Sequence, residues 1–260
     1  MDIIVIKDLN FCYKEKKIFS HLDLNIKKGK WYTLVGENGC GKTTLVKILC
    51  GIIETTFIYV NGLEVINKNL FEIRKKMSVV FENPNTNLVC ETVREELAFP
   101  IKNNGFFDID DRIDKFLKMF DIESLADELV NNLSLKQKQL VAIVAALIIE
   151  PEIVIFDEAF TYLDDERKRI FSLIKSLKMT VINVTHEPND LLFGDYISVL
   201  ANGKIAINDE MRKVLDNEKI ISSFGIKVPF IVDLSYKLKY YNLIDKVYID
   251  YKDLVADLWK

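Results

Sequence analysis

Soft metal ligands are scarce in this chain: its 260 residues include four cysteines and two histidines. Cys12, Cys40, Cys50 and Cys90 form no CxxC pair and no metal-ligand spacing, which argues against a zinc site and leaves free thiols in a reducing compartment as the expectation. Positive charge is not in excess either. Lys and Arg number 35 against 39 Asp and Glu, a net charge of −4, so no broad basic surface for nucleic acid is expected. The opening MDIIVIKDLN lacks a basic flank followed by an apolar core, so no secretory signal is expected. The longest apolar run, Leu140 to Ile149, is about half of the roughly 20 residues that a membrane span needs. Any membrane association would therefore go through a partner. Internal repeats and low-complexity stretches are absent too. What is present is an ordinary globular composition, 49% hydrophobic and 28% charged, at a length suited to one large α/β domain with a small appendage.

Strand and helix patterns alternate, as in a mainly parallel α/β core. Strands are expected at 2–7 and 22–26, with Asn10 to Lys17 as the turn region between them, and a buried strand at 31–35 (WYTLV). A helix over 43–50 would stop at Gly51. Further strands are expected at 57–62 and 77–81. Helical spacing then dominates from 85 to 152, over 91–99, 110–119 and 136–149, and predicts an inserted helical subdomain. The parallel pattern resumes at 152–156, 180–185 and 196–200, where Asn202-Gly203 signals a hairpin. Residues 219–260 read as a short helix, an FGIKVPF linker, a helix at 231–241 and a terminal segment, a small extension of a main domain at 1–218.

The strongest motif is GENGCGKTT at 36–44, which fits GxxxxGK[ST] between a predicted strand and a predicted helix. Gly36, Gly39 and Gly41 let the backbone curl around a phosphate at a helix N-terminus, while Asn38, Cys40 and Thr44 complete the loop. Lys42 would reach the β- and γ-phosphates, and the Thr43 hydroxyl would ligate Mg²⁺. Asp157 and Glu158 end a buried strand. Alone they could equally cap the next turn, but beside a phosphate loop they read as a Mg²⁺ ligand and a water-activating carboxylate. His186, just past another buried strand in VTHE, is a candidate contact for the γ-phosphate. These motifs fall at the carboxyl ends of predicted parallel strands, where α/β sheets bind ligands. No NKxD-like guanine motif accompanies them, which weakens a GTPase reading.

On these residues the chain resembles the nucleotide-binding subunits of ATP-binding-cassette (ABC) transporters over nearly its whole length. Tyr13 in NFCY matches the aromatic that stacks on adenine, TYLDD at 161–165 resembles the D-loop, and LSLKQ at 133–137 stands where that family carries its LSGGQ signature. Residues 69–100, with FENPNTN and TVREELAF, and the tail at 224–238 are similar to the A-type ATPases of energy-coupling-factor importers. The resemblance implies a P-loop NTPase fold: a mainly parallel sheet, N-terminal antiparallel strands, an inserted helical subdomain and a C-terminal helical extension. It also implies ATP and Mg²⁺ as cofactors and a peripheral place on the cytoplasmic face of the membrane. Its implied partners are a second ATPase subunit, a transmembrane coupling subunit and a substrate-binding membrane subunit. Ser134 and Gln137 would serve the nucleotide of the partner ATPase.

Two departures stand out. Glu82 replaces the family's usual glutamine near Mg²⁺ and the attacking water, adding negative charge beside the γ-phosphate. Leu135 and Lys136 replace the signature's two glycines, which should obstruct close backbone approach to a partner's nucleotide. An asymmetric pair is the resulting expectation: a heterodimer, favoured over a homodimer, with one competent site and one degenerate site. A nucleotide-gated subunit that hydrolyses weakly or not at all is the alternative.

Overall fold

The computed structural model describes residues 1–163 and 166–259. Strands β1 (Asp2–Tyr13), β2 (Lys16–Lys27) and β3 (Trp31–Val35) lead to α1 (Lys42–Leu49), followed by β4 (Ile58–Val60), β5 (Leu63–Glu64), α2 (Leu70–Arg74) and β6 (Met77–Phe81). Helices α3 (Val93–Asn103), α4 (Ile109–Phe120) and α5 (Leu135–Leu147) precede β7 (Ile153–Asp157), α6 (Arg167–Ser176) and β8 (Thr180–Val184). The chain finishes with β9 (Tyr196–Ala201), β10 (Lys204–Glu210), α7 (Met211–Leu215), α8 (Glu218–Ser223), α9 (Phe230–Tyr240) and α10 (Tyr251–Leu258). Two compact units result, one from Met1–Val5, Asn25–Lys30 and Thr43–Val184, the other from Ile6–Leu24, Trp31–Lys42 and the chain from Thr185 onward.

In the first unit β6, β7 and β8 pair in parallel, with Phe81, Asp157 and Val184 in one row. Every residue of β7 and β8 is buried, which is why neither shows the strict apolar–polar alternation of a half-exposed strand. Just before β7, the Lys28 ammonium hydrogen-bonds the Glu152 carboxylate at 2.6 Å, and Lys76 adds a contact at 3.3 Å. Helices α3, α4 and α5 pack together, burying Val93, Leu97 and Ile101, then Ile113, Phe116 and Phe120, then Leu140, Val141 and Val144. Both α3 and α5 start in capping boxes, Thr92 with Glu95 and Ser134 with Gln137, so two otherwise orphaned amides are satisfied at each start. Helix α4 ends at Asp121 in the left-handed region, φ 59°.

In the second unit β9 pairs in parallel with β3 and antiparallel with β10 through the turn at Asn202-Gly203. The tail helices share one core with these strands: Val35, Ile197 and Val199 pack in a cluster with Val214, Ile231, Tyr236, Val247 and Leu254. The Tyr236 hydroxyl donates to the Leu215 carbonyl at 2.6 Å, tying α9 to the end of α7. The expected turn at Asn10 to Lys17 is corrected: β1 runs to Tyr13 and β2 begins at Lys16, leaving only Lys14 and Glu15 between them.

Candidate functional site

The loop after β3 needs glycine at two positions for steric reasons. A Cβ at Gly36 would lie 2.3 Å from the Leu200 carbonyl oxygen, and one at Gly41, where φ is +109°, would lie 2.9 Å from the Ile18 and Phe19 side chains. Lys42 is buried, and its ammonium donates to the carbonyls of Gly36 (2.9 Å) and Glu37 (3.2 Å), so the cation is folded onto its own loop. Burial pushes the Cys40 thiol above its ordinary value, against the opposing charge of Lys42, which keeps it a neutral part of the wall. One cavity, about 370 Å³, lies between Lys16 to Ser20 and Glu37 to Cys40, closed by Asn202 and Gly203. The Ser20 amide donates to the Gly203 carbonyl at 3.1 Å and fixes that wall. Tyr13, exposed at the end of β1, meets Phe11 edge-on at 4.9 Å, which leaves a phenol ring presented for stacking.

On the other side of the same loop a cavity of about 240 Å³ brings Gly36 to Asn38 together with Thr185 to Pro188 and the Phe224 to Lys227 stretch. The Thr185 amide donates to the Leu34 carbonyl at 3.2 Å, which sets His186 beside the carboxyl end of β3. The sequence placed His186 and Gly36 near one ligand, and both line this cavity. Phe224 to Lys227 was not foreseen there, because nothing local in the linker signals a cavity wall.

In the first unit Asp157 ends β7 and is buried, and Glu158 follows half-buried with φ 54°. A left-handed glutamate costs about 1 kcal/mol or more. Here the Glu158 amide donates to Val184 at 3.0 Å, and the Glu158 carbonyl accepts the Thr161 hydroxyl at 2.8 Å, so the conformation is held from both sides. Because Phe81 and Asp157 are register partners, Glu82 leaves the sheet beside Glu158 in the parallel neighbour, exposed. Among the described residues no group of three or more His, Cys, Asp and Glu could hold a metal unaided. The Thr43 hydroxyl and the Asp157 carboxylate offer oxygen donors only. Such a sparse hard set fits Mg²⁺, which keeps several waters and shares substrate phosphates instead of entering a protein cage.

At the start of α5, the Ser134 oxygen accepts from the Gln137 amide at 3.3 Å, and Gln137 Oε1 accepts from the Ser134 amide at 2.9 Å. Capping uses a lone pair of the serine and leaves its O–H able to donate. Leu135 is exposed. Lys136 pairs with Glu166 Oε1 at 2.9 Å, a partner that sequence reasoning did not find. Equally unforeseen is Glu96, a buried carboxylate that accepts the amides of Val89 (2.8 Å) and Cys90 (2.7 Å) and shapes the loop after Glu82. Of the TYLDD segment, Asp164 and Asp165 lie outside the described residues.

Comparison with known proteins identifies the family. The family model described as ABC transporter matches residues 19–161. The energy-coupling factor transporter ATP-binding protein EcfA1 of Oenococcus oeni is 35% identical, covering 100% of this chain and 98% of its own length. The EcfA1 protein of Bacillus subtilis is 32% identical over 99% of this chain and 96% of its own. Among solved structures, cbiO1 from Clostridium perfringens, described as part of the ABC transporter complex cbiONQ, superposes with a TM-score of 0.74 at 28% identity, covering 90% of this chain and 98% of that one. The dimeric post-hydrolysis ATP-binding cassette MJ0796, bound to ADP and Pi, gives 0.73 at 28% identity over 80% of this chain and 99% of that one. With its antiparallel N-terminal strands, its parallel-rich sheet and a phosphate loop between strand and helix, the chain belongs to the ABC transporter ATPases, as an ATP-binding subunit of the energy-coupling factor type.

Proposed function

We propose that this chain is the nucleotide-driven motor of an energy-coupling factor importer for a vitamin or a metal ion, working as one half of an unequal ATPase pair on the cytoplasmic face of the membrane. The carrying observation is the contrast between two of its motifs: Gly36 to Thr44 is sterically intact, whereas the α5 start presents Leu135 outward and binds Lys136 to Glu166. No helix among the described residues is long and apolar enough to cross a membrane, so force would pass to a separate transmembrane subunit, and solute choice would belong to another membrane protein.

The chemistry divides among the motifs. Tyr13 stacks on adenine; the loop amides from Asn38 to Thr44 and Lys42 take the phosphates, with Lys42 exchanging the Gly36 and Glu37 carbonyls for phosphate oxygens. Bound Mg²⁺ would supply charge neutralisation on the β- and γ-phosphate oxygens, held by Thr43 and, through water, by Asp157 and Glu82. Glu158 accepts the proton of the attacking water, and His186 holds the γ-phosphate. Ser134 and Gln137 face the partner's nucleotide, where Leu135 keeps the backbone at a distance and weakens the stabilisation of developing charge. ATPase assays of the purified subunits alone and mixed test the reading. Activity is expected from the mixture, and strong turnover by this chain alone would defeat the unequal pair.

A further inference from the structure

Lys136 and Glu166 belong to different helical starts of the first unit, and their contact has consequences for the backbone that leaves β7. Glu166 sits immediately before α6, where its carboxylate takes the Lys136 ammonium at 2.9 Å and Arg169 Nη2 at 3.3 Å. Arg169 also donates to the Phe120 carbonyl at 3.2 Å, so the carboxylate is bracketed by two cations, one of them anchored on the end of α4. Hydrogen bonds continue back toward the carboxylate pair. The Glu166 amide donates to Leu163 at 3.1 Å, the Leu163 amide to Phe160 at 3.0 Å, Arg167 to the same Phe160 carbonyl at 2.7 Å, and Thr161 to Glu158. Glu158 itself holds φ 54°, a conformation that persists only when its surroundings over-determine it.

A lysine in the first turn of α5 is electrostatically disfavoured, since the helix N-terminus is already the positive end of the dipole. Glu166 offsets that cost, so the lysine and the carboxylate act together. We propose that Lys136 is a positioning residue for this chain's own hydrolytic site: paired with Glu166, it braces the turn after β7 and so holds the Glu158 carboxylate in its working orientation. The inference rests on Glu158 being the water-activating carboxylate. It gives the altered signature a task within its own chain, separate from anything it does for a partner's nucleotide.

Charge exchange tests it in the assembled transporter with the partner ATPase's own site inactivated and Mg-ATP as substrate. Lys136→Glu and Glu166→Lys should each lower kcat about three- to fivefold, the scale of one half-exposed ion pair, with KM for ATP within about twofold. Made in an Arg169→Gln background, so that position 166 faces no like charge, the double exchange should recover kcat to within about twofold of that background, a rescue that loss of folding or of simple bulk would not produce. Silent single variants, or a double variant as poor as the product of the two, would overturn the proposal while leaving Glu158 in its role. Unchanged turnover in Glu158→Gln would remove that role, and this inference with it.

Discussion

Two helix starts in this chain make opposite use of glycine. The loop before α1 carries Gly36 and Gly41 because its own fold leaves no room for a Cβ: the obstacles are the Leu200 carbonyl and the Phe19 ring, both intrachain. The turn before α5 carries none, and the fold does not object, since Leu135 projects into solvent and Lys136 reaches Glu166. A residue constrained by its own chain is hard to change. A residue constrained only by a partner is released as soon as that partner's demand is relaxed. On the proposed reading of an unequal pair, the relaxed demand would come from the nucleotide that the α5 start faces across the dimer.

The largest expected effect comes from Glu158→Gln, which removes the proposed proton acceptor from the intact side of the comparison. Turnover should fall by about 10²–10⁴-fold while ATP binding persists, read by single-turnover hydrolysis against equilibrium nucleotide binding; unchanged turnover would reject the assignment. Next in size is the steric contrast. Gly36→Ala should destabilise the fold by about 1–3 kcal/mol or more through its collision at 2.3 Å with Leu200, whereas Leu135→Gly should cost no more than about 1 kcal/mol. Chemical denaturation of the two variants side by side breaks the comparison if their costs are alike. Leu135→Gly should also raise the activity of the partner's site, measured with Glu158→Gln in place, by about tenfold, a fraction of what a lost charge-stabilising contact typically costs.

How far the fold could be read in advance depended on locality. The strands at 31–35, 152–156 and 180–185 were legible because they are buried on both faces and carry few polar residues, and the half-buried strand at 77–81 because Ser78 is its one polar residue. Strands β1 and β2 were legible only at their inner ends. Their outer halves carry Asn10, Lys16 and Lys17, and Asp8 and His21 sit at φ 51° and 52°, interrupting the alternation that marks a strand. Helix α10 shows no period of its own in the sequence, since Leu254 is its one buried position, yet Asp250 caps it by accepting from the Lys252 amide at 2.7 Å. The site shows the same division. The run from Gly36 to Thr44, Asp157 with Glu158, and His186 are compact in sequence, and each can be recognised from its neighbours. The Lys136–Glu166 pair joins positions 30 residues apart with no periodic relation, and the buried carboxylate of Glu96 looks from the sequence like one more surface charge in a helix's first turn.

The smallest effect should come from the ion pair's contribution to stability, and its pH dependence distinguishes a pair from a lone lysine. The hydrogen bond from Lys136, then the further pull of Arg169, holds the Glu166 carboxyl below its ordinary value despite opposing burial. A carboxylate with a lowered folded pKa contributes stability that is fully present above its unfolded value and is lost as pH falls through the folded one. Lys136→Ala should therefore cost up to about 1 kcal/mol at neutral pH, hold that difference down to the ordinary carboxylate range near 4, and lose it below. Paired thermal melts across that range provide the measurement. A difference that does not change with pH would mean that Lys136 stabilises α5 through its methylenes alone, and the glycine-free start would then owe nothing to Glu166.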